Sequence, residues 1–342
     1  MIETLVIEAL LLDRLPLMAR LLVSGGAGYI GSHTARALTD AGHEVIVIDD
    51  LRDGVASFAP GELVQISTGD RPALDALLTR LGTVDGALHF AASISVGESV
   101  TDPIKYWQNN TANALTFVAA LIDHGVKPFV FSSTAAVYGM PESQPIPETA
   151  TIDPINPYGA SKAAVERLLW DCADAGKLAP IALRYFNACG AHPDGGIGEA
   201  HQPETHLVPL AIAAAAGDRD ELKLFGTDYQ TPDGTNVRDY IHVMDLASAH
   251  VIAVEALIAG HTGGAYNIGT GVGRSNREVL EAVGRGVGTP VPYSDAARRP
   301  GDPAELVADS TKFRAEFNWS PSFSDLDTVV ATAWAWYQSQ NP

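Results

Sequence analysis

The first half of the chain alternates short apolar runs, rich in β-branched residues, with longer amphipathic segments. The run at residues 44–49, Glu-Val-Ile-Val-Ile-Asp, is typical of a strand that is buried on both faces of a sheet. Runs of this kind predict strands at residues 21–24, 44–49, 63–66, 86–90, 129–132 and 181–185. The segments between them predict helices, among them 30–41, 103–124 and 157–175. This order predicts an α/β fold, a Rossmann-like, doubly wound parallel sheet with right-handed crossovers.

The pattern changes in the second half of the chain. Residues 189–205 are rich in Gly, Pro and His and predict a long loop. Beyond it, apolar periodicity predicts helices at 207–216, 243–259, 276–284 and 324–340, and strands at 222–225 and 265–269. We therefore predict a Rossmann domain over residues 18–188 and a smaller C-terminal α/β substrate lobe over 189–342, with interleaved segments. The cleft between the two is the expected site.

Residues 1–17 precede the first predicted strand and need a separate interpretation. They are apolar but interrupted by acids, and they lack the basic region and cleavage site of a signal peptide. They are also too short and too charged to span a bilayer. Because Met18 stands directly before the strand, we interpret residues 1–17 as an idle upstream extension, which the intact mass of the native protein would test. The alternative is a short amphipathic helix that packs on the body or on a partner chain.

Composition and charge exclude several classes of partner. The net charge of −19 argues against nucleic acid and against anionic membranes. Two cysteines, Cys172 and Cys189, form no CxxC motif and no disulfide framework, which fits a reducing cytoplasm. The ten histidines show no HExxH or other metal-ligand spacing, so the sequence predicts no metal.

A glycine-rich turn, Gly25-x-x-Gly28-x-x-Gly31, follows the first strand and opens the first helix. Glycines in this position let the backbone approach a pyrophosphate at the helix N-terminus, so the turn predicts a dinucleotide cofactor. Asp49 ends the next strand, where a carboxylate accepts from ribose hydroxyls and repels a 2′-phosphate. We therefore predict NAD rather than NADP. Asp70, which follows the third strand, is either an adenine contact or a solvated loop acid.

Tyr158 and Lys162 stand four residues apart in a predicted helix, so their side chains share one face. A phenol loses its proton near pH ~10, and neighbouring positive charge lowers that pKa. The lysine and an oxidised nicotinamide together would make Tyr158 a usable base at neutral pH. The pair therefore predicts removal of a proton from an alcohol or sugar hydroxyl while hydride leaves the carbon.

Several motifs resemble the extended short-chain dehydrogenase/reductase family from about Arg20 to the C-terminus. They are the turn at 25–31, His89-Phe90-Ala91-Ala92, Ser132-Ser133-Thr134, Tyr158-x-x-x-Lys162 and Arg184-Tyr185-Phe186-Asn187. Three narrower motifs are similar to the UDP-glucose 4-epimerase branch of that family. They are Val96-Gly97-Glu98-Ser99 and the segments at 187–193 and 237–243.

The resemblance implies a redox-neutral epimerisation at C4 of a UDP-hexose. Tyr158 would take the proton of the 4-hydroxyl while NAD takes the hydride, and the 4-keto sugar would turn over and be reduced on its other face. Lys162 would hold the nicotinamide ribose, and Thr134 would hydrogen-bond the sugar oxygen. With the sequence positions above, it implies these NAD contacts: Gly25, Gly28, Tyr29, Ile30, Gly31, Asp49, Asp70, Phe90, Ala91, Ala92, Asn109, Ser132, Tyr158, Lys162 and Tyr185.

The substrate contacts follow from the same resemblance. They are Thr134, Asn187, His206, Leu207, Phe225, Arg238, Arg299, Asp302 and Leu306. Three positions depart from the family pattern. Ile94 replaces a lysine that touches the pyrophosphate in some members, and His206 replaces an asparagine. Leu306 stands at the gate position where a tyrosine restricts the pocket to plain hexoses, which motivates the hypothesis that N-acetylhexosamine nucleotides are also accepted.

Other functions remain open beside this one. A 4,6-dehydratase would need an acid pair after Thr134, where Ala135-Ala136-Val137 stands. A pentose or uronic-acid 4-epimerase differs only in contacts that the sequence does not reveal. A non-catalytic NAD-sensing protein would not need Tyr158 and Lys162, and both are present.

The family also implies a homodimer built from two helices of each subunit. The corresponding predicted helices are 103–124 and 157–175. They carry apolar residues beyond one face, namely Phe117, Val118, Leu168 and Trp170. The alternative is that these four side chains serve only the intramolecular core.

Overall fold

Strands alternate with helical segments from residue 20 to residue 185. The computed structural model describes residues 18–299 and 302–341, so the predicted extension 1–17 lies outside the described residues. The strands are β1 (Arg20–Ser24), β2 (Glu44–Asp49), β3 (Glu62–Gln65), β4 (Gly86–His89), β5 (Pro128–Thr134), β6 (Ala179–Tyr185), β7 (Asn187–Cys189), β8 (Leu222–Phe225), β9 (Val237–His242), β10 (Gly264–Ile268), β11 (Gly273–Ser275), β12 (Tyr293–Ala296) and β13 (Glu305–Leu306).

Most of the helices fall between these strands, as predicted for an α/β protein, and the last two follow the final strand. They are α1 (Tyr29–Asp40), α2 (Arg71–Leu81), α3 (Val96–Thr101), α4 (Pro103–Tyr106), α5 (Asn113–Asp123), α6 (Pro157–Asp174), α7 (Leu207–Ala216), α8 (Val243–Ile258), α9 (Asn276–Val287), α10 (Thr311–Phe317) and α11 (Leu326–Gln340). Within the part of the chain that the structure describes, no helix is long and apolar enough to cross a membrane.

The main sheet is parallel throughout and confirms the predicted fold class. Among the described residues it has seven strands, in the order β10-β6-β5-β4-β1-β2-β3. β1 pairs on one side with β2 and on the other with β4. The strand order therefore reverses at β1, and a crevice opens beside its carboxyl end, where doubly wound sheets bind their ligands.

Burial on both faces explains the continuous apolar runs. Along β1, Leu21 and Val23 face the core under α1 and α8, whereas Leu22 faces the core under α2, α5 and α6. Val47 and Ile46 divide in the same way on β2. Because successive side chains of a strand point to opposite faces, every position must be apolar when both faces are covered.

A second core lies under the C-terminal part of the chain. Residues of α7, α9, α11 and β8 pack together there. A small sheet joins β11, β9 and β13, and β7 pairs with β9 as well. This sheet carries the chain from the end of the main sheet toward the predicted substrate residues.

Two features differ from the sequence prediction. The predicted helix at 103–124 is α4 and α5 joined by a wider π-helical turn, Trp107–Ala112. Inside that turn, Asn110 hydrogen-bonds Ser93 at 2.8 and 3.0 Å and Ser161 at 3.1 Å. Such widened turns occur often at functional sites. The short strands β7, β9, β11, β12 and β13 were not predicted, because two to six residues hold too little periodicity.

Candidate active site

A cavity opens at the carboxyl edge of the main sheet, beside β1. It brings together most of the predicted cofactor residues and three predicted substrate residues. The predicted residues in its lining are Gly25, Gly28, Tyr29, Ile30, Gly31, Asp49, Phe90, Ala91, Ala92, Asn109, Ser132, Thr134, Tyr158, Lys162, Tyr185, Asn187 and His206. Residues far apart in the sequence therefore meet at one place.

The glycine turn leaves no room for side chains. Gly25 has a φ of +70°, and a Cβ there would lie 2.4 Å from the backbone nitrogen of Ala91. A Cβ on Gly31 would lie 2.1 Å from the carbonyl oxygen of Gly25. α1 begins directly after Gly28, and Tyr29, Ile30 and Gly31 of its first turn line the cavity, where a helix N-terminus favours an anionic group such as a pyrophosphate.

Asp49 occupies the expected place at the end of β2. Its carboxylate accepts hydrogen bonds from the N–H groups of Ala27 at 3.0 Å and Leu51 at 2.9 Å. Burial raises the pKa of Asp49, and these two backbone bonds work against that rise. The side chain is thus held in one orientation at the cavity wall, as a contact to ribose hydroxyls requires.

Asp70 does not lie in the cavity lining. Its carboxylate accepts a hydrogen bond from the N–H of Ala73 at 3.1 Å and caps the N-terminus of α2. The neighbouring Ser67 and Thr68 line the cavity in its place. Helix capping by an aspartate satisfies an otherwise unpaired backbone donor, and this gives Asp70 a local structural role.

Helix α6 presents the tyrosine and the lysine side by side. The side chain of Asn156 caps its N-terminus, and Tyr158 and Lys162 follow on one face. The Nζ of Lys162 donates to the carbonyl of Ser132 at 2.9 Å and lies 5.0 Å from the centre of the Phe131 ring. Burial raises the pKa of Tyr158, and the hydroxyl of Thr134 beside it lowers the pKa. Lowering this pKa to the neutral range therefore requires positive charge.

Lys162 is deeply buried, and its surroundings shift the pKa of its amine. Burial lowers its pKa to about 7, while the nearby Glu166 carboxylate acts in the opposite direction. Glu166 lies one helical turn beyond Lys162 on α6 and is itself buried. The ammonium that a tyrosine base needs thus depends on the polar groups around it.

This pKa makes a prediction for the cofactor-free protein. Between pH 7 and the ordinary lysine pKa of 10.5, the unfolded chain binds a proton on Lys162 that the folded chain lacks. The free energy of unfolding, relative to Lys162→Met, should rise across this window by up to about 1.4 kcal/mol per pH unit. Urea unfolding at several pH values measures it. The exposed Lys223→Met is the matched control, and a flat difference for Lys162→Met would contradict the prediction.

The remaining predicted substrate residues lie outside the cavity lining. Arg238 forms an ion pair with Asp302 and also donates to the carbonyl of Pro303 at 2.9 Å. The Arg299 guanidinium stacks 4.2 Å from the centre of the Phe225 ring. Leu306 pairs with Arg238 between β13 and β9, and Leu207 begins α7. Arg238, Asp302 and Leu306 thus lie together beside β9 and β13, and Arg299 and Phe225 form a separate contact.

Several cavity residues were missed by the sequence analysis. They include Arg52, Asp53, Ser67, Thr68, Phe186, Glu199 and His201. The rule that ligands bind at the carboxyl ends of parallel strands points to Ser67 and Thr68, which follow β3. Glu199 and His201 lie in the long loop, where no local pattern marks them. Ile94, where some family members have a lysine, also lines the cavity.

Glu199, His201 and His206 form a cluster that the sequence prediction did not foresee. One donor atom from each side chain lies within 4.8 Å of the other two. Their spacing, Glu-x-His-x-x-x-x-His, matches none of the familiar metal motifs. The folded loop is what brings the three side chains together.

Known proteins are similar to this chain over nearly its whole length. The model of the NAD dependent epimerase/dehydratase family matches residues 21–269. The UDP-glucose 4-epimerase of Lacticaseibacillus casei is 46% identical over 93% of this chain and 96% of its own. The Brucella ovis UDP-glucose 4-epimerase, solved in complex with NAD, has a TM-score of 0.90 at 45% identity and covers 93% of this chain and 98% of its own. The UDP-Glc/GlcNAc 4-epimerase of Campylobacter jejuni has a TM-score of 0.83 at 37% identity, over 94% and 99%.

Proposed function

Since this chain belongs to the NAD dependent epimerase/dehydratase family, we propose that it is an NAD-dependent UDP-glucose 4-epimerase. It interconverts UDP-galactose and UDP-glucose through a 4-keto intermediate. The observation that carries the proposal is the meeting of Tyr158, Lys162 and Thr134 with the glycine turn in one cavity. Relatives that are 45–46% identical over more than nine tenths of the chain bear the same activity in their names.

The residues present fit NAD. The close approach of Gly25 to Ala91 leaves backbone, rather than side chains, facing the pyrophosphate. Asp49 would hold the adenosine ribose, and Lys162 would hold the nicotinamide ribose. When bound, NAD supplies a hydride acceptor and then a hydride donor beside the sugar ring.

The side chains of the protein transfer the proton and position the sugar. Tyr158, as a phenolate, takes the proton of the 4-hydroxyl while the C4–H bond gives up its hydride. Thr134 donates a hydrogen bond that holds the sugar oxygen near the phenol. After the 4-keto sugar turns over, Tyr158 returns the proton to the oxygen as hydride is delivered to the other face of C4. The cycle therefore consumes no external oxidant or reductant.

We place the diphosphate and the nucleoside of the substrate at Arg238, Arg299 and Asp302, which are outside the lining of the cofactor cavity. Arg238 and Arg299 suit phosphate oxygens, because a guanidinium donates two parallel hydrogen bonds. Arg238 pairs with Asp302, and Asn236 donates to the same carboxylate at 2.8 Å. Substrate binding would exchange part of this pairing for contacts to the diphosphate and the uridine ribose.

The direct test is conversion of UDP-galactose by the purified protein with no NAD added, followed through the anomeric proton NMR signals. Formation of UDP-glucose establishes 4-epimerisation with a retained and recycled cofactor. No conversion even after NAD is added would refute UDP-galactose as substrate and favour a pentose or uronic-acid nucleotide. Purified protein without any turnover or hydride exchange would instead favour the NAD-sensing alternative.

Leu306 sets an expectation for the breadth of the substrate pocket. It packs with Val137, Tyr138 and Ile146, next to Phe186 of the cavity lining. A leucine leaves more room there than a tyrosine, so we propose that UDP-N-acetylhexosamines are also substrates, as the name of the Campylobacter jejuni relative states for that enzyme.

Substitution Leu306→Tyr tests this proposal. It should lower kcat/KM for UDP-N-acetylglucosamine by about 10–200-fold, the usual effect of a steric change in a binding pocket. Turnover of UDP-glucose should change by only a few-fold, and this second substrate is the internal control. Absence of UDP-N-acetylglucosamine turnover in the wild-type enzyme would contradict the proposal.

We also infer a homodimer, from exposed apolar side chains on and near α3, α4 and α5. Val100, Ile104, Trp107 and Leu115 are 63%, 70%, 42% and 50% exposed. Phe117 and Val118, by contrast, are fully buried in the subunit's own core. Trp170 is partly buried and packs against the same core. Light scattering should give twice the 36.0 kDa mass of the chain, and the mass of a monomer would refute the inference.

Two free thiols, Cys172 and Cys189, support a cytoplasmic location.

A further inference from the structure

The Glu199, His201 and His206 cluster lies between two cavities. All three side chains line both the cofactor cavity and a neighbouring cavity that reaches α7 and α11. The cluster lies at the end of the long loop after β7, and its last residue, His206, occupies the N-cap position of α7 without a capping hydrogen bond from its side chain. None of the three residues has a part in the proton and hydride transfers described above.

The carboxylate of Glu199 is shared by the two imidazoles. Its Oε1 is hydrogen-bonded to Nδ1 of His201, and its Oε2 lies 3.6 Å from Nδ1 of His206. Glu204 adds a second carboxylate, with Oε1 2.8 Å from the same nitrogen of His206. The Glu199 side chain is only 8% exposed. Two imidazoles and two carboxylates thus converge on a small, half-buried volume.

We propose that Glu199, His201 and His206 bind a divalent transition-metal ion of the zinc class. Two imidazoles and one carboxylate form a common zinc donor set, with a fourth position left open. Tetrahedral bonds of about 2 Å hold donors about 3.3 Å apart, so the separation of up to 4.8 Å has to shrink by no more than about 1.5 Å. The ion would replace the protons of two hydrogen bonds, the one between His201 and Glu199 and the one between His206 and Glu204.

Metal binding at this place has a consequence for the enzyme. The ion would tie the loop at 199–206 into one conformation beside the cofactor cavity. It would also occupy His206, which is a predicted sugar contact. We therefore expect zinc to inhibit turnover and a chelator to restore it.

The test is calorimetric titration of the purified, cofactor-containing protein with Zn²⁺ in chelator-free buffer. Wild-type protein should bind one zinc ion per chain. Loss of a residue that only hydrogen-bonds to a metal ligand costs about 10–100-fold in metal affinity. His201→Asn removes a ligand itself and should therefore lower the zinc affinity by at least about 100-fold. His261→Asn is the matched control, because it removes another His–Glu pair, His261 with Glu316, on a distant surface. Equal zinc affinity in His201→Asn and wild type would overturn the proposal.

A second measurement needs no variant. Co²⁺ bound to the wild-type protein by two imidazoles and a carboxylate in four-coordinate geometry gives a strong visible absorption, which added Zn²⁺ should remove. A weak, octahedral spectrum that Zn²⁺ leaves unchanged would identify loosely held surface ions and would also overturn the proposal.

Discussion

Tyr158→Phe is expected to lower kcat for UDP-galactose by about 10²–10⁴-fold, the usual contribution of a positioned acid–base group. The substitution removes one hydroxyl and keeps the ring, which packs edge-on against Tyr106 at 6.4 Å between centroids. The glycine turn and Lys162 remain, so NAD should be retained. Initial rates by proton NMR and the cofactor released on denaturation measure the two properties separately.

The matched control for this substitution is Tyr293→Phe. Tyr293 is 39% exposed, and its hydroxyl accepts a hydrogen bond from Arg277 at 3.0 Å. This variant loses the same atom far from the cavity and should keep the wild-type rate. If Tyr158→Phe retained a rate within three-fold of wild type, Tyr158 would not be the base, and proton transfer would have to be assigned to another group.

The main sheet could be predicted because its physical cause is local. Strands such as β1 and β2 are buried on both faces, so each is a short continuous apolar run that is visible without knowledge of the rest of the fold. The π-helical turn Trp107–Ala112 could not be predicted. It depends on hydrogen bonds from Asn110 to Ser93 and Ser161, 17 and 51 residues away, and a periodicity of 3.6 residues runs through it unbroken.

The site residues likewise divide into those that a local sequence pattern marks and those that contacts elsewhere in the fold position. Tyr158 and Lys162 could be paired from the sequence, since their spacing on one helix fixes their common face. Asp70 was assigned to the cavity from its place after a strand, but a backbone donor three residues later holds it as a helix cap. Glu199 and His201 contact each other locally, but they meet His206 and reach the cofactor cavity only through the fold of the long loop. A local sequence pattern carries no information about the path of this loop, and the prediction of no metal rested on such patterns alone.

The second large effect is expected from Arg184→Met, which should lower the free energy of unfolding by about 3–5 kcal/mol. Arg184 and Glu166 are 6% and 4% exposed, and the guanidinium donates three hydrogen bonds to the carboxylate, at 2.5, 2.9 and 3.2 Å. Removing the guanidinium takes away the cation that is hydrogen-bonded to the buried Glu166 carboxylate, and Lys162 interacts with that carboxylate only through space. Ser133, which donates to Glu166 at 2.5 Å, cannot replace that charge. Urea unfolding of the wild type and the variant at pH 7 measures the loss.

The double variant Glu166→Gln/Arg184→Met separates the loss of a favourable pair from the penalty of a stranded charge. If the stranded carboxylate is the cause, the double variant should be more stable than Arg184→Met alone, although a second interaction is lost. Strictly additive effects would show that the two side chains act independently and would contradict the argument. The variant also links stability to chemistry. Glu166 raises the pKa of Lys162, so its neutralisation should favour the uncharged amine and weaken the tyrosine base at neutral pH.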